Sequence, residues 1–298
     1  MSPYYKFSEY LKERYGCRVH KITVDAGFTC PNIDGTLSKN GCIFCDNYSF
    51  SPPVRTKNVS LEEQIEEGIR YGRERYKAEK FIVYFQPYSN TYAPVHILKE
   101  KYDVIKKFPD VVGISIGTRP DCIDEEKISL IQRYTKDYEV WLEYGLQSIH
   151  NKTLKLINRN HTYEDFIKAI EITKEKNIKV CAHVIIGLPE ETEKEIIETA
   201  KECARLKLDG IKIHPLYIVK GTFLEKMYIE SKYTPLTMEE YIDITAKFIG
   251  HLWKGTVIQR LTADCPPEVL VAPLWIKEKQ KLLTLLEQQM REKGIYQV

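Results

Sequence analysis

The sequence predicts an α/β fold in which six parallel strands and their helices form a partial (βα)6 barrel of the TIM type, followed by a C-terminal extension. Six short apolar runs alternate with longer amphipathic stretches, and each run is followed by polar or glycine-rich residues. The length of 298 residues is sufficient for one large α/β domain. We expect residues 1–224 to form the barrel with its N-terminal segment, and residues 225–298 to form an extension that closes the barrel and shapes the substrate side.

The composition is that of an ordinary globular protein with 43% apolar and 29% charged residues. Its 44 basic and 42 acidic residues give a net charge of +2, so nucleic acid would be attracted by local basic patches rather than by the whole molecule. The sequence has neither a signal-peptide core nor an apolar run of membrane-spanning length, which predicts no membrane association. We therefore expect a cytoplasmic protein whose thiols stay reduced and free to bind metal.

The predicted strands are residues 19–24, 81–85, 111–116, 139–142, 179–186 and 210–214. Ser60 with Glu63, and Thr192 with Glu195, have the spacing of capping boxes that open helices. In the second of these helices, Ile196, Ala200, Cys203 and Ala204 recur at helical spacing and predict a buried stripe. Further helices are predicted around 238–248 and over 275–290.

Three cysteines lie in the loop after the first predicted strand. Eleven residues separate Cys30 from Cys42 and two separate Cys42 from Cys45. Three thiolates can hold three corners of a cubic iron-sulfur cluster and leave the fourth iron open for chemistry. A zinc site completed by His20 or a distant cysteine is the alternative, and chance clustering is another.

Polar residues also follow the other predicted strands at the end where barrel enzymes place their active sites. These strand-end segments are residues 86–91, 117–121, 143–148, 186–189 and 214–217. Together with the cysteine loop they predict one site at the C-terminal end of the barrel.

Several of these motifs, taken in order, resemble the radical S-adenosylmethionine (SAM) superfamily over roughly residues 15–220. They are the cysteine loop, the Gly-Leu-Gln-Ser of 145–148, the Asn-Arg-Asn-His of 158–161 and the Gly-Leu-Pro of 187–189. The wide first cysteine gap and the Arg-Leu-Thr-Ala-Asp of 260–264 resemble the YhcC/YtqA-like group within it. The resemblance implies a 4Fe-4S cluster held by Cys30, Cys42 and Cys45, with SAM on its open iron. One electron would then split SAM into methionine and a 5′-deoxyadenosyl radical that takes a hydrogen atom from substrate.

The resemblance also implies which residues contact the cofactor. Gln147 and Arg159 match the family's contacts to the ribose and carboxylate of SAM, and an arginine fork suits a carboxylate. Gln86, Tyr88 and Asn90 stand where many relatives carry a Gly-Gly-Glu turn. The full set of expected cofactor contacts is Phe44, Gln86, Tyr88, Asn90, Thr118, Glu143, Gln147, Arg159, His183, Gly187, Leu188 and Leu216.

The Thr-Arg-Pro-Asp of 118–121, with His183, is similar to the radical SAM domain of the elongator catalytic subunit, which modifies wobble uridine in tRNA. This similarity implies tRNA as substrate, and the family implies a reductant such as ferredoxin or flavodoxin. Radical chemistry on a small metabolite or a peptide is one alternative, and a non-catalytic zinc- or cluster-bearing RNA-binding module is another.

Two further cysteines, Cys122 and Cys265, lie in polar loops near the catalytic end. Either is a candidate catalytic hydrogen-atom donor or a ligand of a second cluster, with ordinary packing as the alternative. Four charged residues are equally compatible with substrate contacts and with ion pairs that hold loops: Arg119, Asp121, Arg260 and Asp264.

Overall fold

A seven-stranded parallel sheet, curled into a half-barrel, forms the centre of the molecule. The structure is a computed structural model that describes residues 2–51 and 59–297. Its strands are β1 Val19–Val24, β2 Lys80–Phe85, β3 Val111–Thr118, β4 Glu139–Gln147, β5 Lys179–Ile186, β6 Gly210–Pro215, β7 Ile218–Val219, β8 Val257–Arg260 and β9 Leu270–Ala272. The sheet order is β1-β2-β3-β4-β5-β6-β8, and β7 pairs with β9 in a small antiparallel ribbon.

Helices cover the outer face of the sheet. Within the described residues the α-helices are α1 Phe7–Tyr15, α2 Asn47–Phe50, α3 Leu61–Tyr76, α4 Val95–Asp103, α5 Glu125–Gln132, α6 Asn151–Leu156, α7 Tyr163–Thr173, α8 Glu193–Arg205, α9 Phe223–Ile229, α10 Met238–Gly250 and α11 Lys279–Glu292. Short 3-10 turns occur at Val104–Lys107, Pro120–Cys122, Arg133–Lys136 and Leu274–Lys277. No helix in the described part of the chain has both the length and the apolar character needed to cross a bilayer.

The predicted α/β partial barrel is confirmed, with one strand more than expected. All six predicted strands are present, and β1 and β5 have the predicted bounds. The seventh strand is β8, which pairs in parallel with β6 and also forms a bridge between Ile258 and Lys6 near the N-terminus. It comes from the part of the chain expected to close the barrel.

The predicted helix starts are confirmed where capping boxes mark them. Ser60 and Thr192 each accept a hydrogen bond from the backbone three residues ahead, and the reciprocal bond is also present. The last helix begins at Lys279, not at residue 275 as predicted. Trp275 instead lies in a 3-10 turn, where its ring N–H donates to the carbonyl of Leu236 at 2.9 Å.

Alternation along the strands separates an apolar outer face from a polar inner face. In β4, Val140, Leu142, Tyr144 and Leu146 join the main core beneath the helices. The alternate residues, including Glu143 and Gln147, point to the barrel interior. All nine residues of β4 are buried, so its charged side chains must find partners inside the barrel.

Helix α3 packs closely on β1 through a glycine. A Cβ added at Gly68 would lie 2.2 Å from Cγ2 of Ile22. At the other end of the barrel, α1 closes the interior with Phe7 and Tyr10, whose rings pack edge-on against Trp141. Helix α1 therefore covers the end of the interior opposite the C-terminal ends of the strands.

Candidate functional site

One cavity at the C-terminal ends of the strands collects most of the residues predicted to act. The three loop cysteines all line it. Nine of the twelve expected cofactor contacts also line it: Phe44, Gln86, Tyr88, Thr118, Glu143, Gln147, Arg159, His183 and Leu216. A single pocket that joins a three-cysteine loop to charged and aromatic walls can bind a metal centre, a small cofactor and part of a substrate together.

The cysteine loop is folded by its own backbone hydrogen bonds. The N–H of Cys45 donates to the carbonyl of Cys42 at 3.0 Å, and the N–H of Gly41 donates to the carbonyl of Asn32 at 2.8 Å. Gly41 has a φ of 67°, a left-handed conformation in which glycine is favoured. These turns direct Cys30, Cys42 and Cys45 toward the same cavity.

Donors surround the cysteine sulfurs as expected for ligands that remain thiolates. Arg159 Nη1 and Asn32 Nδ2 each donate to Cys42 Sγ at 3.5 Å, and Asn47 Nδ2 lies 3.9 Å from Cys45 Sγ. Burial, and then the neighbouring thiolates of Cys42 and Cys30, raise the pKa of the Cys45 thiol. Three thiolates that line one cavity need a bound cationic centre to offset their charge.

The sulfurs of the cysteine loop lie farther apart than those of a tetrahedral zinc site. Zinc–sulfur bonds of about 2.3 Å place the sulfurs of a tetrahedral site about 3.8 Å apart. Among the described residues, the three ligand atoms within 4.8 Å of one another belong to Glu143, Cys181 and His183, not to the loop cysteines. Ligands of three separate irons can be wider apart, so this loop fits a 4Fe-4S cluster.

Neighbouring elements hold the segment between Cys42 and Cys45 at its backbone. The N–H of Ile43 donates to the carbonyl of Ile157 at 3.1 Å, and the N–H of Leu224 donates to the carbonyl of Ile43 at 2.9 Å. Cys42 and Phe44 line the cavity, whereas Gly41 and Ile43 line a separate groove on the outside.

The turn after α6 places Arg159 between the cysteine loop and β4. Besides its contact with Cys42, Arg159 donates from Nη2 to the carbonyl of Gly145 at 3.0 Å and from Nε to His161 Nε2 at 2.9 Å. Burial, followed by Arg159 and Arg119, lowers the pKa of His161 to about 2, so its ring is neutral and accepts that bond. A Cβ at Gly145 would lie 2.3 Å from Arg159 Nη2, so the arginine reaches this position because residue 145 is glycine.

Gln147 ends β4 with a φ of 69°, at a register shift between β4 and β5. This left-handed residue interrupts the ladder where the strand meets the cavity.

Arg119, on the loop after β3, is buried and makes a paired contact with Asp121, at 2.8 Å from Nε and 2.7 Å from Nη2. Its Nη1 also donates to the carbonyl of Arg159 at 2.8 Å, so Arg119 and Asp121 hold the loop that carries Arg159.

A charged network centred on Glu143 forms the inner wall of the cavity. Its carboxylate accepts from Lys21 Nζ at 2.6 Å and from His183 Nε2 at 2.7 Å, and it also contacts Lys212 Nζ and Ser115 Oγ. Burial alone would raise the pKa of Glu143, but Lys21 and Lys212 hold it well below its usual range. Burial lowers the pKa of Lys212 to about 8, against the opposing influence of Glu143.

Aromatic and imidazole rings complete this inner wall. Lys212 Nζ lies 4.0 Å from the centre of the Tyr84 ring, a cation–π contact. The rings of His183 and His214 are 5.6 Å apart. Burial lowers the pKa of His183 to about 4 and holds that of His214 well below its usual range, so both imidazoles are neutral at pH 7.

Sequence reasoning did not single out Lys21, Tyr84 or Lys212 as site residues. Each lies within a predicted strand, where a polar side chain between apolar neighbours is the pattern of a strand with one solvent-exposed face. The signal that could have identified them lies in several strands taken together. Polar residues occupy inward-facing positions on five different strands: Lys21, Ser115, Glu143, His183 and Lys212.

At the mouth of the cavity, Asp264 is shared by two cations. Arg260 Nη2 lies 3.5 Å from Asp264 Oδ2, and Lys279 contacts the other oxygen. Tyr217 also lines the cavity and donates to the carbonyl of Asp264 at 3.3 Å. The mouth therefore has two cations for one carboxylate.

Asn90, Gly187 and Leu188 do not line the cavity. Asn90 is buried beside it and donates from Nδ2 to the carbonyls of Pro87 at 2.9 Å and Gly117 at 2.8 Å. Gly187, with a φ of 92°, and Leu188 belong to the turn after β5 and line a different surface groove.

Neither Cys122 nor Cys265 lines the cavity. Cys122 is buried behind Arg119, and burial raises the pKa of its thiol to about 12. Cys265 packs with the small cluster around Leu270 and Ile276, with its Sγ 3.6 Å from the carbonyl of Pro266.

Comparison with known proteins gives matches along nearly the whole chain. The family model described as Radical SAM superfamily matches residues 38–203, and the Radical_SAM C-terminal domain matches residues 208–292. Protein YtqA of Bacillus subtilis is 34% identical over 294 residues, with 99% of this chain and 91% of that protein covered. Protein YhcC of Escherichia coli is 35% identical over 286 residues, with 96% and 91% covered.

More distant similarity covers part of larger proteins. The tRNA uridine(34) acetyltransferase of Methanocaldococcus jannaschii is 33% identical over 189 residues, which cover 62% of this chain and 34% of that protein. Among solved structures, the Elp3 protein of Methanocaldococcus infernus superposes with a TM-score of 0.66 at 22% identity. The superposition covers 93% of this chain and 63% of the Elp3 chain, and at this identity it supports the fold alone.

Proposed function

Since this chain belongs to the radical SAM superfamily, and to its YhcC/YtqA-like group, we propose that it is a tRNA-modifying member that acts on the side chain of wobble uridine. It is a radical SAM enzyme, and the superfamily uses a 4Fe-4S cluster and SAM. The substrate, the residues that hold the cofactors and a cytoplasmic location are our proposals.

The loop cysteines and the Arg159 turn would hold the cofactors. Cys30, Cys42 and Cys45 would ligate the cluster, and Arg159 and Gln147, which line the same cavity, would contact SAM. When bound, these groups supply a 5′-deoxyadenosyl radical that abstracts a hydrogen atom. The protein holds the reactants in place and limits water in the cavity, whose inner end is closed by the Glu143 network.

The observation that carries the proposal is the combination of the cysteine loop with an aromatic and cationic wall in one cavity. A base withdrawn from an RNA loop is typically held by aromatic stacking and by hydrogen bonds to its edges. Tyr88 and Tyr217 supply rings, and Arg260 at the mouth suits a phosphate. The relative named tRNA uridine(34) acetyltransferase makes uridine 34 the specific expectation.

The first experiment measures the radical reaction without substrate. The protein is reconstituted anaerobically with iron and sulfide, reduced with dithionite and mixed with SAM, and 5′-deoxyadenosine is quantified. We expect formation that disappears in Cys42→Ala. Cys203→Ala is the matched control, because Cys203 lies on the buried face of α8 in the core, and it should retain formation.

The second experiment tests the substrate. Bulk tRNA is incubated with the reduced enzyme and SAM, and its nucleosides are compared by mass spectrometry with those from the Cys42→Ala reaction. A changed uridine nucleoside that mapping of ribonuclease-digested oligonucleotides locates at position 34 supports the proposal. If SAM is cleaved but tRNA is unchanged, while a small metabolite or a peptide is modified, the tRNA assignment is wrong.

A further inference from the structure

A pair of asparagines connects the cysteine loop to the turn after α6. Asn32 lies two residues after Cys30, is only 1% exposed and lines the cavity. Asn160, which follows Arg159, is exposed. Asn160 Nδ2 donates to Asn32 Oδ1 at 2.6 Å, so a surface side chain bonds to a buried one that is 128 residues away in sequence.

The hydrogen bonds of Asn32 fix the direction of its amide. Its Nδ2 donates to the carbonyl of Asn158 at 2.7 Å and to Cys42 Sγ at 3.5 Å, and its Oδ1 accepts from Asn160. A flip of the amide would place Oδ1 against a carbonyl oxygen and a thiolate, and Nδ2 against another N–H donor. All three contacts would then be repulsive, so an N–H of Asn32 stays directed toward the sulfur.

The turn also holds Asn160 in one direction. Its Nδ2 donates to Asn158 Oδ1 at 3.1 Å, and Arg119 Nη2 donates to its carbonyl at 3.3 Å. Asn158 and Asn160 both have a φ of 54°, a left-handed conformation that asparagine adopts more readily than most residues. The turn therefore presents Asn160 Nδ2 to the oxygen of Asn32 in a defined position.

Two side-chain donors converge on the sulfur of Cys42. Besides Asn32, Arg159 Nη1 donates to it at 3.5 Å, whereas Asn47 Nδ2 lies 3.9 Å from the sulfur of Cys45. Hydrogen bonds to ligand sulfurs tune the reduction potential of an iron-sulfur cluster. A donor stabilises negative charge on sulfur, and a reduced cluster carries one electron more than an oxidised one. Donors at Cys42 therefore favour the reduced state.

We infer that Asn32 is a positioning residue that raises the reduction potential of the cluster, and that Asn160 sets the direction of its amide. The inference rests on the proposed function, because it needs a cluster held by the loop cysteines. Neither asparagine ligates the cluster in this account, and neither exchanges a proton or an electron. Their role is to direct an N–H donor at one ligand sulfur and so make one-electron reduction of the cluster easier.

A purely mechanical role for this pair is the alternative. Asn158 Nδ2 donates to the carbonyl of Gly41, and the N–H of Gly41 donates to the carbonyl of Asn32. These bonds tie the turn to the cysteine loop without the amide group of Asn32. The two roles predict different results, because loss of a mechanical contact lowers iron retention and Tm, whereas loss of the sulfur hydrogen bond changes the potential.

The experiment measures the reduction potential of the reconstituted holoenzyme without SAM. Each protein is titrated anaerobically with Ti(III) citrate in the presence of redox mediators, and the reduced cluster is followed by electron paramagnetic resonance. One variant is Asn32→Ala, which removes the donor to sulfur. The other is Asn160→Asp, which replaces the donor to Asn32 Oδ1 by an acceptor. Iron content and Tm are measured on the same preparations.

Two control variants match these substitutions. Asn40→Asp places the same charge in the cysteine loop, at an exposed position two residues before Cys42, and corrects for the effect of charge alone. Asn151→Ala corrects for loss of an amide, since Asn151 is exposed, lies outside the cavity and donates to Glu164 at 2.9 Å.

We expect the ratio of reduced to oxidised cluster at a fixed potential to fall roughly tenfold in Asn32→Ala, which corresponds to about 59 mV for one electron. Asn160→Asp should shift the potential in the same direction and by more than Asn40→Asp, because its carboxylate repels Asn32 Oδ1 and releases the amide from the sulfur. Asn151→Ala should leave the potential unchanged.

Equal potentials for wild type and Asn32→Ala would overturn the inference and leave the pair a mechanical contact. If Asn32→Ala loses its iron, Asn160→Asp decides, because Asn160 is exposed. A shift in that variant no larger than the shift in Asn40→Asp would then refute the inference. Wild-type protein that assembles no 4Fe-4S cluster would refute the proposed function as well, so the two failures are distinguishable.

Discussion

Replacement of Glu143 by glutamine should destabilise the protein severely although it removes only a charge. The carboxylate is fully buried and accepts from Lys21, Lys212, His183 and Ser115. Glutamine has one accepting oxygen and two N–H donors, so it leaves buried ammonium groups uncompensated. Removal of one partner from a buried ion pair typically costs about 3–5 kcal/mol.

The pH dependence separates the Lys212 contribution from the rest. In the variant the carboxylate that raises the pKa of Lys212 is gone, so this pKa falls below its wild-type value of about 8 and Lys212 loses its proton at a lower pH. The folded-state pKa lies below the ordinary value of 10.5, so the unfolded chain binds more protons between these values and stability rises with pH there. The deficit of Glu143→Gln should therefore shrink as pH rises toward about 8, where Lys212 of the wild type also loses its proton, and should stay constant at higher pH. The remainder reflects lost hydrogen bonds and Lys21.

Thermal unfolding of the reconstituted protein is the assay. For 298 residues, an unfolding entropy of about 2.1 cal/mol/K per residue converts 3–5 kcal/mol into a Tm decrease of about 5–8 °C. A second change, Lys212→Met, should restore about half of that loss, because it removes one uncompensated charge. Glu193→Gln is the matched control, since Glu193 pairs with Lys247 on the surface, and it should leave Tm unchanged.

A Tm for Glu143→Gln equal to that of wild type at pH 7 would refute the account of the inner wall. So would a double variant with Lys212→Met that is less stable than the single variant. Either result would mean that the two lysines are solvated well enough to need no carboxylate.

Three further predictions concern other parts of the molecule. Arg159→Lys should retain the cluster but weaken SAM binding roughly tenfold in equilibrium titration, because a point charge replaces a planar fork; equal affinity would contradict the assigned role. Gly68→Ala should lower the unfolding free energy by about 1–3 kcal/mol, because the added methyl overlaps Ile22 and this clash exceeds the helix-propensity gain of about 1 kcal/mol. Denaturant titration measures the change. A stabilised variant would show that α3 can move away from β1. Arg260→Ala should raise the Kd for tRNA and reduce its salt dependence while SAM cleavage without substrate persists, and a parallel loss of that cleavage would place Arg260 at the cofactor instead.

Local sequence signals predicted much of the fold. The bounds of β1 and β5 follow from apolar runs with clear ends, and the starts of α3 and α8 follow from capping boxes. β4 extends to Gln147, five residues beyond its predicted end, because glycine and polar residues continue the ladder where the cavity begins. β8 has only four residues, too short for a periodic signal, and its pairing with β6 depends on tertiary contacts.

The candidate site shows the same division between local and long-range information. Cysteine spacing and strand-end position predicted the residues that carry the cofactor motifs, and most of them line one cavity. The role of Lys212 could not be predicted, because it depends on the carboxylate of Glu143, 69 residues earlier in the chain. A single strand sequence does not indicate which side chains share the barrel interior.

The backbone bonds of Ile43 bear on how the protein matures in the cell. The cysteines lie within the first 45 residues, but their loop is held by Ile157 and Leu224, which are synthesised much later. Chains fold from the N-terminus as they emerge from the ribosome, so a nascent chain displays three reduced thiols long before their supports exist. We therefore expect the loop to reach its folded arrangement only after residues as far along the chain as Leu224 have been synthesised.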